Sequence, residues 1–460
     1  MPLLLFVVKI LNVGEIMFEK EFQHIQELAK GHGIQHYDVY LSKSKAFSVK
    51  IFRRDIDSFN YSDSIGLGIR VILDDITGYS YTEKLDLESL ESALLNARKN
   101  AKSVDFKEKV VLENYPSIDK NLDIYNEDLL RIPVEDKIEK AKELEQIALD
   151  YDKRIVNVPH ALIGDNESFI KIANSSGLNK EYSTNSCYGF SFCLAKEGKE
   201  TKSGYFEALS RDFNDIKPQN ISNGASQKAL ELLSAHEIQS GNYPILFNNE
   251  MAATLLSTFW RIFSAKTVQE GQSLLKGKLG KNIANSTVNI IDDALLNKGY
   301  NTRPFDDEGF PSQKTELIAD GVLQSFLHNT ITALKDGTVS TGNASRSYKS
   351  TINISPSNLY IKPGLSSKKD LYSKFPKCLE IVQLSGMHSG CNTISGDFSM
   401  GAQGFYCEDG QRKYPIHNFT VSGNFLQLME QIVGIADDLK FKLSAIGSPS
   451  ILVEDLSISG

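Results

Sequence analysis

Apolar residues recur at helical spacing near the start of the chain and then give way to runs typical of strands. Phe18–Lys30 carries an apolar residue every three or four positions, and Gly31 can cap this helix. The runs HYDVYLSKS, FSVKIFRRD, GLGIRVILDD and TGYSYTEK follow, rich in β-branched and aromatic residues. Asp86 can then cap a helix that extends to Lys102. We therefore predict a first α+β unit that closes near residue 103.

A second unit follows a polar, irregular stretch over Val104–Ile132. Pro133 suits the first turn of a helix that extends to about Tyr151. Strand-like runs come next: RIVNVPHALI, SFIKIANSSG, NKEYSTNSCYGFSFCLAKEG and SGYFEALSRDF. Ala225–Ala235 then has a helical pattern. The order of elements in this unit is again helix, strands and helix.

From Asn242 onward the pattern consists mostly of strands and glycine-bearing loops. Helices are predicted at about Glu250–Ala265 and Phe425–Lys440, and Asp-Gly pairs at 320–321, 336–337 and 409–410 predict hairpins. We expect a packed sheet or partial barrel with few helices. The predicted fold class is α+β, with N-terminal α/β units before a β-rich C-terminal domain. The predicted divisions are an N-terminal extension (1–16), an N-terminal domain (17–103), a linker (104–132), a central domain (133–240) and the C-terminal domain (241–460).

The charge and the cysteines bear on nucleic-acid binding and on the cellular compartment. The 50 Lys and Arg residues against 58 Asp and Glu give a net charge of −8, without a long basic block. We therefore expect no direct binding of nucleic acid. The five cysteines form no CxxC pair, which favours a reducing, cytoplasmic setting. The apolar run Leu3–Val8 is too short to span a membrane and lacks the flanks of an export signal.

The common catalytic motifs are missing from the sequence. Gly66-Leu67-Gly68 lacks the third glycine of a dinucleotide loop, and neither a Walker loop nor a GxSxG elbow occurs. No HExxH motif occurs, and the dipeptide His236-Glu237 has Ser240 where a second histidine could stand. The sequence therefore contains no motif that indicates phosphate transfer or a serine hydrolase.

A few polar residues remain as candidates to line a cleft. His388 and Cys391 in MHSGC are close enough to chelate a metal or to form a thiolate–imidazole pair, although a polar loop beside a buried cysteine is the simpler interpretation. Asp306, Asp307 and Glu308 are three consecutive acidic residues, which could act as general acids or bind a cation, although such a run is more often a solvated loop. The remaining candidates are Asp397 and Ser399.

Two long segments carry a resemblance to a known family. The first is GLGIRVILDDITGYSYTEKLDLESLESALLNARKNAK, and the second is SGDFSMGAQGFYCEDGQRKYPIHNFTVSGNFLQLMEQIVGIADDL. The first is similar to the N-terminal strand, turn and helix pattern of the TldD/PmbA family, formerly described as modulators of DNA gyrase, and the second resembles the C-terminal core of that family. The resemblance extends from about His36 to Gly460, and it implies two chains that enclose a cavity admitting peptides or unfolded protein.

Within this family, TldD-type chains bind zinc with the two histidines of an HExxxH helix and a downstream cysteine, and the glutamate acts as base. PmbA (TldE) chains lack these residues and pair with TldD. Here the corresponding helix is NNEMAATLLSTFWRIFSA, which has Ser257, Thr258 and Ile262 at the motif positions, and LSAIGSPSILVED replaces the cysteine segment. The resemblance therefore implies a PmbA-like subunit without zinc or a cofactor of its own, with zinc held by a TldD-like partner.

Two alternatives stay open at this stage. The chain could be an autonomous peptidase that uses His388, Cys391 and the acidic run. It could also be a non-catalytic homodimer that binds peptides. The apolar stripe of the helix predicted at about Glu250–Ala265, which includes Leu255, Phe259 and Phe263, predicts packing rather than metal binding.

Overall fold

The computed structural model describes residues 4–460, with side chains from Phe18 onward. The α-helices are α1 (Leu4–Gly31), α2 (Leu87–Ser103), α3 (Val134–Tyr151), α4 (Pro218–Glu231), α5 (Asn249–Phe259), α6 (Ala265–Gln269), α7 (Thr330–Asp336), α8 (Lys368–Tyr372), α9 (Met387–Gly390) and α10 (Phe425–Glu430). The strands of the first half are β1 (Tyr37–Phe52), β2 (Asp55–Leu73), β3 (Ile76–Thr82), β4 (Ile155–Asn174), β5 (Asn179–Glu197) and β6 (Glu200–Ser210). Those of the second half are β7 (Gly241–Phe247), β8 (Ile290–Asp293), β9 (Lys314–Ala319), β10 (Val322–Leu323), β11 (Ala344–Ser345), β12 (Asn353–Ile354), β13 (Leu359–Ile361), β14 (Lys377–Ser385), β15 (Asp397–Glu408), β16 (Gln411–Asn424), β17 (Ile432–Ile435), β18 (Lys440–Phe441), β19 (Ile446–Ser448) and β20 (Ile451–Ser459).

The first two units share one antiparallel sheet with the strand order β3-β2-β1-β4-β5-β6. Strands β1 and β4 join the units, and their register runs from Asp38 opposite Asn174 to Ile51 opposite Ala161. Because fourteen residue pairs connect the central strands, the sheet is continuous across the irregular 104–132 segment. Each unit covers its part of the sheet with two helices, and buried apolar residues fill the space between.

The two units are structural repeats of each other. Each has a helix, three antiparallel strands and a second helix in the same order. In both, a glycine of the third strand lies directly against the second helix. A Cβ atom on Gly78 would collide with the backbone of Ala97 and Ala101, and one on Gly204 would collide with the backbone of α4 at the matching place. Glycine is needed at these points because the helix backbone approaches the strand too closely for a side chain.

The C-terminal part is β-rich, as predicted. One sheet has the order β16-β15-β14-β7-β20-β17, and a further pairing of β16 with β20 closes five of its strands into a ring. A second sheet has the order β10-β9-β8-β13-β19-β18. Helix α5 packs between them, and one buried cluster contains Phe247 of the ring, Phe259 of α5 and Leu317 of the second sheet.

The structure changes the bounds of two predicted helices and tests the three predicted hairpins. The helix predicted at 18–30 belongs to the longer α1, which begins at Leu4; residues 1–3 of the predicted extension lie outside the described residues. The helix predicted over Phe425–Lys440 ends at Glu430, because the β-branched run after it pairs with β20. The hairpins at 320–321 and 409–410 are confirmed. The one at 336–337 is wrong, since Gly337 caps α7 with a φ of 66°. Within the described residues, every helix is too short or too polar to cross a membrane.

Candidate functional site

Helix α5 forms one wall of a cleft. Its first turn is fixed by Asn248, whose side chain accepts a hydrogen bond from the backbone N–H three residues later at 2.9 Å. Leu255 and Phe259 are buried in the core, as the apolar stripe predicts. The side of the helix that carries Ser257 and Thr258 is left to face the cleft.

The cleft has a volume of ≈ 690 Å³ and gathers segments that are far apart in the sequence. Ser257 and Thr258 share it with His388 and Cys391 of the MHSGC segment and with Ser444 of the LSAIG segment. The helix that carries Ser257 and Thr258 therefore meets the LSAIG segment. Packing of α5 against β19 and β18 holds the two together.

The side chains at the motif positions do not suit a zinc ion. Protein zinc sites are built from thiolate, imidazole and carboxylate ligands. Thr258 already donates its hydroxyl to the Thr254 carbonyl at 2.9 Å. Ile262 has no donor atom, is 1% exposed and packs into the core in the 3₁₀ turn after α5. Among residues 18–460, no three His, Cys, Asp or Glu side chains lie close enough together to hold a metal ion.

His388 and Cys391 both line this cleft. His388 is exposed and Cys391 is half-buried. Burial raises the pKa of the Cys391 thiol, so the thiol form dominates near neutral pH. Nucleophilic cysteines instead have a lowered pKa.

The acidic run lies elsewhere and is buried, so the expectation of a solvated loop is wrong. Asp306, Asp307 and Glu308 are 0%, 5% and 7% exposed. Asp306 accepts hydrogen bonds from three backbone N–H groups, and Asp307 accepts one from the N–H of Arg346 at 2.7 Å. Glu308 accepts both the N–H and the hydroxyl of Thr330 at the start of α7. These carboxylates organise loops, and they do not line the cleft.

Asp397 and Ser399 lie on β15, where they alternate with buried residues and are themselves exposed. The Asn424 amide donates to Asp397 at 2.8 Å, and Ser422 donates to Ser399 at 3.1 Å. Hydrogen bonds from Asn424 and Ser395 lower the pKa of Asp397. Neither residue lines the cleft.

The sequence analysis missed several polar residues of the cleft, among them Glu207, Thr254 and Lys442. Lys442 donates to the Thr254 hydroxyl at 2.9 Å. One Glu207 oxygen accepts the N–H of Leu443 at 3.2 Å, and the other accepts the hydroxyl of Tyr205. Lys442 directly precedes the LSAIG segment, and this position was the one sign in the sequence that it could line the cleft. Glu207 belongs to the central unit, and nothing in the sequence indicated that it lies here.

Models of three successive protein domains match this chain. They are the PmbA/TldA metallopeptidase domain 1 over residues 37–101, the central domain over 127–233 and the C-terminal domain over 240–460. A metalloprotease PmbA homolog of Haemophilus influenzae is 27% identical, and the match covers 92% of each chain.

Solved structures share the whole fold. A putative modulator of a DNA gyrase from Thermotoga maritima matches with a TM-score of 0.89 and 31% identity, over 96% of this chain and 100% of that one. TldE from Thermococcus kodakarensis has the same fold, with a TM-score of 0.86 at 23% identity, over 95% of this chain and 100% of that one. Domain models, sequence relatives and solved structures agree along nearly the whole length of the chain. The chain therefore belongs to the PmbA/TldD family of metallopeptidase-related proteins.

Proposed function

We propose that this chain is the PmbA (TldE)-type subunit of a TldD/PmbA peptidase assembly and contributes a peptide-binding wall rather than a zinc ion. One observation carries the proposal. The helix at the motif positions presents the hydroxyls of Ser257 and Thr258 to the cleft and buries Ile262 in the core. The cleft is present, while Ser257, Thr258 and Ile262 are not the thiolate, imidazole or carboxylate side chains that hold the ion that activates water in zinc peptidases.

The rest of the proposal is drawn from the family resemblance. A TldD-like chain supplies the zinc site, and the two chains together enclose the space in which peptides or unfolded protein are cut during turnover or maturation. The volume of the cleft lies within the ~300–1,000 Å³ of pockets that hold small ligands. We place the assembly in the cytoplasm, since the free cysteines fit a reducing compartment.

The direct test is co-expression with a TldD-like chain from the same genome. We expect the two chains to co-purify, zinc to appear only when the TldD-like chain is present, and casein cleavage to need that chain and to stop with a chelator. The TldD-like chain carrying Ala at its HExxxH glutamate serves as the inactive control. Failure of the chains to associate, a homodimer that ignores the TldD-like chain, or stoichiometric zinc in this chain alone would refute the proposal.

A second candidate, an autonomous thiol peptidase, has one observation in its favour: His388 and Cys391 share the cleft. The raised pKa of the thiol opposes it. The isolated chain would have to cleave peptides without being affected by chelator, and Cys391→Ala would have to abolish cleavage. Ser389→Ala, an exposed neighbour, is the matched control that should change nothing.

A further inference from the structure

The cleft contains a lysine that is held in place by a neutral partner. Lys442 is half-buried, and its ammonium group donates to the Thr254 hydroxyl at 2.9 Å. Among the described residues, no carboxylate lies within 4.0 Å of that group. A cation in a partly enclosed site without a counter-ion favours the binding of an anion.

The carboxylate of Glu207 does not pair with Lys442. Glu207 lines the same cleft, but its two oxygens accept the Leu443 N–H and the Tyr205 hydroxyl. The carboxylate therefore fixes the backbone directly after Lys442 and leaves the ammonium group unneutralised. In this way the central unit holds the loop that carries the lysine.

The surrounding cations behave differently, which makes Lys442 distinctive. Lys440, two residues earlier, pairs with Glu250 at 2.7 Å, and Lys228 pairs with the same carboxylate at 2.6 Å. Lys368 pairs with Glu380 at 2.6 Å. Each of these lysines has a carboxylate partner, whereas Lys442 offers its remaining donors to the cleft.

We propose that Lys442 anchors a carboxylate of a peptide bound in this cleft. This inference rests on the proposed function for the class of ligand. The ammonium group can donate two further hydrogen bonds, and the hydroxyl of Ser257 on the same helix wall lies one turn from Thr254. Met387 and Leu443 provide apolar walls for a neighbouring side chain. The carboxylate comes from either the peptide's C-terminus or an acidic side chain.

The test measures binding of three labelled peptides to the full isolated chain by fluorescence anisotropy. They are fluorescein-Ala-Ala-Ala-Leu as the free acid, the same peptide as the C-terminal amide, and fluorescein-Ala-Glu-Ala-Leu as the amide. A charge-assisted hydrogen bond corresponds to roughly a tenfold or greater change in affinity. We expect one or both of the charged peptides to bind about tenfold more tightly than the neutral amide, and the pattern identifies which carboxylate is bound.

Variants connect that preference to Lys442. Lys442→Met should bind all three peptides with the affinity of the neutral amide, and Lys442→Arg should keep the preference. Lys413→Met, an exposed lysine outside the cleft, should behave as the unmodified chain, and circular dichroism verifies folding. Equal binding of the three peptides, or a preference that survives Lys442→Met, overturns the proposal. Because this assay needs no partner, its outcome is separate from that of co-purification with a TldD-like chain.

Discussion

Arg346 pairs with Asp38 across the molecule, with 2.8 Å between Nη1 and Oδ1. Asp38 lies on the first strand of the N-terminal sheet and also accepts hydrogen bonds from Arg70. Burial disfavours the charge on Asp38, but Arg346 and Arg70 outweigh this effect and lower the pKa of its carboxyl. A buried charged cluster thus joins the N-terminal sheet to the C-terminal domain.

Asp38→Ala should strongly destabilise the protein. It leaves Arg346 and Arg70, 8% and 5% exposed, without their shared partner. Removing one member of a buried pair costs about 3–5 kcal/mol of unfolding free energy. Urea unfolding measures the change. Asp128→Ala, which breaks an exposed pair with Arg131, should have a much smaller effect, because solvent screens such pairs. Equal effects would contradict this account of the cluster.

Glu380→Gln should show a loss of stability that depends on pH. Burial by itself would raise the pKa of Glu380, but Arg412 and Lys368 outweigh burial and hold it below its ordinary value. A lowered pKa in the folded state means that the carboxylate stabilises the protein above its unfolded pKa of about 4.3 and loses this contribution as the pH falls through the folded pKa.

The stability difference between the unmodified chain and Glu380→Gln should therefore be largest near neutral pH and shrink in acid. Urea midpoints measured from about pH 7 to about pH 3.5 provide the measurement. A difference that stays constant or grows in acid would show that the carboxylate is not held in its charged form.

Ile262→His should not create a metal site. The position is 1% exposed and packs in the core, so an imidazole there would be buried without a partner and would cost about 2–4 kcal/mol. Ser257→His, on the cleft wall, should be tolerated much better. Thermal unfolding and zinc analysis of both variants and of the double variant measure the effects. Stoichiometric zinc in the double variant would show that the helix end can rearrange to ligate an ion.

Cys391 should react slowly with an alkylating reagent. Its pKa is raised by burial, and thiolate is the reactive form. Alkylation by iodoacetamide at about pH 7.5 should be slower than that of a free peptide thiol and should rise steeply with pH. The buried Cys187, Cys193, Cys378 and Cys407 should react only on unfolding. Mass spectrometry of timed samples measures each site, and rapid alkylation of Cys391 near neutral pH would favour the thiol-peptidase alternative.

Gly78→Ala and Gly204→Ala should each destabilise the protein by about 1–3 kcal/mol through overpacking. Both glycines lie against the backbone of the second helix in their units. Gly31→Ala is the control, since a Cβ there meets no atom within 4 Å. Unfolding measurements on the three variants should separate the pair from the control. A tolerated alanine at one of the two sites would mean that its helix can shift away from the sheet.

The sequence by itself determined the order of most elements and the family. These features depend on local periodicity, capping residues and residue identity. Asp86 caps α2 as predicted because a cap depends on neighbouring backbone groups. The prediction of a helix beyond Glu430 was wrong because the residues after it pair with β20, and this long-range pairing outweighed the local preference for helix.

Only the tertiary structure decided which distant residues meet. Pairing of β1 with β4 makes one sheet of two units, and pairing of β16 with β20 closes the ring. The same long-range contacts bury the acidic run at Asp306 and bring Glu207 to the loop of Lys442. A sequence pattern indicates local structure, because helix periodicity and capping depend on residues that are close in the sequence. Burial and electrostatic pairing depend instead on segments that the fold brings together from far apart.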